Sequence, residues 1–262
     1  MTRRPPAAPL SRPPAWLLPF DRVLFGAMLA LGWVLAKSWV RFRQEGELPR
    51  RGPAVLAPNH TSFLDPPLTF LALRRRPRTL ITERVHRMFP AFYRFARTIP
   101  VRRSGINRQA LTLARQALEE GELLGIFPEG TVDPEGRLRY PQPGIGAIVE
   151  TTDAPVYPMA FFGTFHSQPR GRKLPRPGRV ILRVGQPLRM SELDCLPGTP
   201  RRERQRLFSE QVIRAIAALL GVEVPTPEKP FIPVFGPGGR WAGWPPPEAA
   251  SLFHKKTISP QA

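Results

Sequence analysis

Apolar residues fall along the chain in short runs divided by proline, glycine and charge. The run at 54–57, closed by Pro53 and Pro58, is too short for a helix and reads as a buried strand. Three further runs read the same way: Arg78–Thr82, Ile99–Val101 and 123–127. Strands are also expected at 155–162 and 179–184. Between them lie helical patterns at 66–74, at 88–97 with Phe89, Phe92, Tyr93 and Phe95, and at 144–151. The clearest helix is 106–120. Ile106, Ala110, Leu113, Ala117 and Leu118 recur at helical spacing, and Gly121 stands as the stop. The last helix, Arg201–Leu220, starts strongly basic, ends apolar and is closed by Gly221.

The N-terminal 40 residues break this pattern. Residues 1–15 are rich in proline and arginine and lack the apolar content of a packed segment. Residues 16–40 are apolar all round, which a helix on a soluble surface is not. The uncharged core, 23–36, makes about 21 Å of helix, short of a hydrocarbon layer of about 30 Å. Basic residues flank both ends, from Arg3 to Arg22 and from Lys37 to Arg51, which favours both ends on the cytoplasmic side. Trp16, Trp33 and Trp39 suit a headgroup boundary. A helix or helix pair that dips into one leaflet fits these features best. A single span with Lys37 snorkelling comes next, and a core helix of a soluble protein third.

The 262 residues suffice for one main domain, here 41–222. The tail, 223–262, is Pro/Gly-rich yet carries Phe231, Phe235, Trp241 and Trp244, so it reads as a strap over the body or as disorder. Lys and Arg number 39 against 20 Asp and Glu, a net charge of +19 spread over the chain. Such a surface is drawn to polyanions: anionic lipid, nucleic acid or an acidic protein. Nucleic acid fails on motif. There is no zinc spacing, no basic helix with interleaved aromatics and no RNA-recognition pattern. Cys195 is the one cysteine, so no internal disulfide forms.

Candidate chemistry gathers at two strand ends. The first strand runs into Asn59-His60-Thr61-Ser62, and Asp65 follows. On a regular helix that five-residue offset is about 500°, so His60 and Asp65 meet only if the backbone between them turns tightly. If they meet, the carboxylate fixes the imidazole tautomer and makes a general base. The alternative is a surface histidine beside an aspartate that caps a helix begun by Pro66. The second cluster, Phe127-Pro128-Glu129-Gly130-Thr131, also follows an apolar strand, and two such turns on one sheet edge can face each other across a crevice. Arg102 and Arg103 close the strand at Ile99–Val101 and suit a phosphate, or form a solvated basic turn. No G-x-S-x-G elbow exists for a serine hydrolase.

Taken in order, NHTSFLD, IPVRR, FPEGT and APVYPMAF resemble the four blocks of the glycerolipid acyltransferase family, the 1-acylglycerol-3-phosphate acyltransferases. The resemblance covers roughly 39–220. It implies an α/β fold with a mixed central sheet flanked by helices and an N-terminal membrane-docking helix pair. It implies an O-acyltransferase with His60 and Asp65 catalytic. Arg103, Glu129, Gly130 and Thr131 would hold the acceptor, most simply 1-acylglycerol-3-phosphate, which becomes phosphatidate. Acyl-CoA or acyl carrier protein would donate the acyl chain, with no metal or other cofactor. The partners implied are these substrates and an anionic membrane, at the cytoplasmic face of the cell membrane. Two departures bear on the acceptor. Val132-Asp133 stands where Arg-Ser usually follows the third block, and TERVHR stands where a lysine-rich element usually lies. The other readings are acylation of a different lysolipid or of glycerol-3-phosphate, and a non-enzymatic basic membrane- or nucleic-acid-binding protein.

Overall fold

A computed structural model describes residues 18–73, 75–88, 96–101, 108–169, 171–172 and 174–226. In chain order the strands are β1 (Arg43–Glu45), β2 (Ala54–Pro58), β3 (Arg78–Thr82), β4 (Ile99–Val101), β5 (Leu123–Gly125), β6 (Val156–Phe162) and β7 (Ile181–Val184). The helices are α1 (Leu18–Trp39), α2 (Asp65–Ala72), α3 (Glu83–Met88), α4 (Arg108–Glu119), α5 (Gly144–Val149), α6 (Thr164–Ser167) and α7 (Arg201–Leu220). The strands form a single sheet in the order β1-β7-β6-β2-β5-β3-β4. β2, β5, β3, β4 and β6 pair in parallel, and β7 turns back antiparallel to β6, which makes the sheet mixed.

β2 sits in the middle and is buried on both faces, so it is a continuous apolar run rather than an alternating one. Val55 and Ala57 join a core with β6, α4, α5 and α7, where Phe208, Val212, Ile213 and Ile216 pack on Ile145, Ile148 and Val149. Leu56 points the other way, into a second core with Phe42, Leu68, Met159, Phe161 and Leu182. Helices therefore cover both faces, and neither core depends on an exposed sheet.

α5 and α7 approach closely at Gly146, whose amide donates to Ser209 Oγ at 3.2 Å. A Cβ there would lie 2.1 Å from the backbone oxygen of Gln205. Gly146→Ala should therefore lower Tm although alanine is the better helix former. Forcing the helices apart costs about 1–3 kcal/mol, roughly 2–12 °C at this chain length. A Tm equal to or above the wild type in a thermal melt would refute the tight contact.

Most predicted elements are present with ends shifted by at most two residues. The helix expected at 88–97 lies mostly outside the described residues, which omit 89–95; Ala96 and Arg97 form a turn, and a helix not expected from the sequence occupies Glu83–Met88. Glu83 supplies an acidic first turn and His86 and Arg87 a basic last one, matching the helix dipole. β1, at Arg43–Glu45, is exposed and polar and shows no apolar signature, so its sequence hid it. Of the helix or helix pair expected at 16–40, the described residues form one helix over Leu18–Trp39. No helix among the described residues is long and apolar enough to cross a membrane. Residues 1–15 and most of the tail lie outside the described residues, as does Arg103.

Candidate active site

Parallel pairing places the C-terminal ends of β2 and β5 side by side, because Leu56 is in register with Gly125. The turns that follow them are neighbours. Asn59 leaves β2 and clamps β6: its Oδ1 accepts the Phe161 amide at 2.7 Å. The backbone then bends through Thr61 and Ser62 and turns through Phe63 and Leu64 before α2 begins.

That bend closes the five-residue gap. His60 Nδ1 lies 3.1 Å from Asp65 Oδ2. The same oxygen accepts the Thr61 and Ser62 amides, each at 2.8 Å. Asp65 therefore reaches backwards into the turn rather than capping α2, whose N-cap is Leu64 with no side-chain bond. Asp65 is fully buried, and its Oδ1 has no hydrogen-bond partner among the described residues. A carboxylate only accepts, so this pairing keeps the imidazole proton on Nδ1 and leaves the Nε2 lone pair for chemistry. The His60 side chain retains 14% exposure, enough to meet a substrate.

The second turn packs directly on the first. The Phe127 ring stacks on the imidazole, centroids 3.9 Å apart and planes 24° apart. Glu129 is buried, and its Oε1 accepts the His60 amide at 2.6 Å while Oε2 accepts the Arg139 amide at 2.9 Å. Burial pushes the Glu129 carboxyl well above its usual range, and the His60 and Arg139 amide bonds oppose that rise. Gly130 follows at φ 71°, a conformation that glycine adopts without strain, and with Thr131 it is exposed at the rim. The Asp133 amide donates to the His60 carbonyl at 3.2 Å, and Asp133 Oδ1 accepts the amides of Glu135 and Arg137 at 2.8 and 3.1 Å. Both backbone polar groups of His60 are thus held by the second turn.

Of the six residues named from sequence, the structure brings five together: His60, Asp65, Glu129, Gly130 and Thr131. Arg103 follows the C-terminal end of β4, which lies on the same edge of the sheet but beyond β3. Sequence reasoning did not single out Asn59, Phe127, Asp133 or the Arg139 amide as parts of the site. The Asp133-Pro134-Glu135-Gly136 turn was legible as local chemistry, but its bond to His60 spans more than seventy residues.

Residues 39–162 match the Acyltransferase family model. The chain is 30% identical over 130 residues to the 1-acyl-sn-glycerol-3-phosphate acyltransferase of Bacillus subtilis, covering 49% of this chain and 60% of that protein. It is 28% identical over 150 residues to a chloroplastic 1-acyl-sn-glycerol-3-phosphate acyltransferase of Arabidopsis thaliana, covering 55% of this chain and 42% of that one. The match therefore spans less than two thirds of either relative. The crystal structure of the 1-acyl-sn-glycerophosphate acyltransferase of Thermotoga maritima superposes with a TM-score of 0.60 at 24% identity, over 76% of this chain and 80% of the other. It shares this fold. Within the matched segment lie β2, the two turns and β6, so the match and the His60 constellation coincide.

Proposed function

We propose that this chain is an acyltransferase that moves an acyl chain from a thioester, acyl-CoA or acyl-ACP, to the free hydroxyl of a lysophospholipid. The best-supported acceptor is 1-acylglycerol-3-phosphate, with phosphatidate as product. The observation that carries this reading is the His60 Nδ1–Asp65 Oδ2 contact, which leaves Nε2 available at a turn inside the family match.

His60 Nε2 takes the acceptor's hydroxyl proton as the oxygen attacks the thioester carbonyl. Asp65 stabilises the imidazolium that forms. The tetrahedral oxyanion collapses, the C–S bond breaks, and the thiolate recovers the proton from Nε2. No covalent enzyme intermediate is needed. The family resemblance assigns Gly130 and Thr131 to the acceptor and Arg103 to its phosphate, and the exposure of Gly130 and Thr131 supports such a contact.

α1 supports a membrane location. Its inward side meets Leu71 at Gly32 and enters the core at Ala36. Its outward side presents Leu31, Val34, Leu35 and Trp39 to solvent. An apolar outer face beside Lys37 suits a helix lying in the headgroup region. The substrate and product would be lipids, and the basic residues flanking α1 favour both its ends on the cytoplasmic side, so the proposed place of work is the cytoplasmic membrane surface.

The decisive assay supplies purified protein with a labelled acyl thioester and a panel of lysolipids. Labelled phosphatidate from lysophosphatidate is the expected product. Preference for a neutral or zwitterionic lysolipid would overturn the acceptor, and no transfer to any acceptor would overturn the reaction. A phosphate monoester carries close to two negative charges, and a bidentate arginine contact contributes about 1.5–3 kcal/mol. Arg103→Ala should therefore raise KM for lysophosphatidate roughly 10- to 150-fold, leave KM for the thioester near wild type, and be only partly rescued by lysine. Unchanged lysophosphatidate kinetics would remove Arg103 from the site.

A further inference from the structure

The segment 168–179, QPRGRKLPRPGR, takes no part in the reaction described above. It carries Arg170, Arg172, Lys173, Arg176 and Arg179 and no acid. Two anchors hold it. At one end the Ser62 hydroxyl, within the catalytic turn, donates to the Gln168 carbonyl at 2.8 Å. At the other, the Trp39 indole donates to the Pro175 carbonyl at 3.1 Å, and the Gly178 amide donates to the Trp39 carbonyl at 3.3 Å. Internal bonds shape the tip: Gln168 Nε2 reaches the Arg172 carbonyl, and Arg172 Nε reaches the Leu174 carbonyl at 2.9 Å. Leu174 at the tip is 74% exposed.

Exposed apolar side chains concentrate here. Of the eight large ones among the described residues, Leu31, Val34, Leu35 and Trp39 lie on α1. Leu174 adjoins Trp39's partner Pro175, and Phe63 adjoins Ser62. An exposed leucine among arginines, beside an apolar helix face, has the composition of a lipid contact. Arginines reach headgroup phosphates while the apolar tip enters the acyl boundary. A nucleic-acid surface would have no use for Leu174 or for the outer face of α1.

We propose that the 168–179 loop is a second lipid contact of this chain, docking on anionic phospholipid with Leu174 inserted beside α1. Through Ser62 it ties the docked surface to the turn that bears His60. This inference rests on the reading of α1 as membrane-facing, and the experiment separates the two.

The full chain is sedimented with phosphatidylcholine vesicles, with and without phosphatidylglycerol. Each arginine near an anionic surface contributes about 1 kcal/mol, roughly fivefold in partitioning. An Arg172→Gln/Arg176→Gln double variant should therefore lose about 10- to 30-fold on the anionic vesicles and little on the neutral ones. Leu174→Ala should lose roughly 3- to 10-fold on both. Each variant should melt as the wild type does. Each should keep wild-type turnover of a short-chain acceptor dissolved as monomers, and lose turnover of a vesicle-embedded acceptor in proportion to its binding. The proposal falls if the loop variants bind anionic vesicles as the wild type does, if the double variant loses equally on both vesicles, or if monomeric turnover drops with vesicle binding. When that happens while Leu31→Ser/Leu35→Ser still weakens binding, the α1 reading survives alone. A wild-type chain retained on duplex DNA and not on vesicles overturns both.

Discussion

Replacing His60 by alanine is expected to reduce kcat by about 10²–10⁴-fold, the usual contribution of a positioned general base. In the proposed mechanism the thioester carbonyl would still be bound, but nothing would take the hydroxyl proton as the bond forms. The fold should survive, because the imidazole sits on a turn and the backbone bonds of residue 60 to Glu129 and Asp133 do not need its side chain. Loss of stacking on Phe127 leaves a local gap, so a thermal melt accompanies the assay, and His60→Gln serves as the second variant if alanine lowers Tm. Near-wild-type turnover in a folded variant would end the mechanism.

Asp65→Asn tests what the carboxylate adds. Two backbone amides donate to the oxygen that faces His60, so the amide oxygen of asparagine should take that slot and leave the NH₂ in the buried place of Oδ1. The tautomer is then kept and the negative charge is lost. Activity should fall with the imidazolium's stabilisation, by about 10²–10⁴-fold. Asp65→Ala should do worse and also destabilise, since two buried amides lose their acceptor at about 1–3 kcal/mol each. Activity of Asp65→Asn within threefold of wild type would show that the charge is idle.

Much of this arrangement was readable before any coordinates. β2 and β6 carry continuous apolar runs too short for a helix, as buried strands do, and α4 and α7 end on glycine, with Gly221 at φ 68° as a left-handed cap requires. The two chemical turns were legible because each interrupts an apolar strand with polar residues. Spacing alone could not decide whether His60 and Asp65 meet, because a helix would have separated them. The two backbone amides that draw Asp65 into the turn are invisible in a string of side chains. Long-range packing was equally hidden. Nothing local in Phe127 marks it as the floor under His60, and nothing in Arg43–Glu45 marks an edge strand paired to residues 181–183. At α1 the composition showed an apolar segment but not which side faces out; the contact of Gly32 with Leu71 sets that rotation.

Glu129 offers the sharpest test of how the second turn works. The family resemblance assigns it to the acceptor. In this structure its carboxylate is buried and its two oxygens accept the His60 and Arg139 amides. Such a group acts through the backbone that carries the base. Glutamine in its place offers one oxygen and one NH₂, so one of the two amides must face a donor instead of an acceptor. The lost bond costs about 1–3 kcal/mol, and the turn can relieve it only by moving residue 60 or 139. A displacement on the order of 1 Å at the base lowers the rate about 100-fold. Glu129→Gln is therefore expected to lower kcat by roughly 10- to 100-fold while KM for both lysophosphatidate and thioester stays within a few-fold of wild type. Glu129→Ala strands both amides and should lower Tm as well. A residue that grips the acceptor would show the opposite split, with KM for lysophosphatidate rising and kcat little changed. Steady-state kinetics over a range of each substrate distinguishes them, and that opposite split would return Glu129 to the acceptor's binding surface.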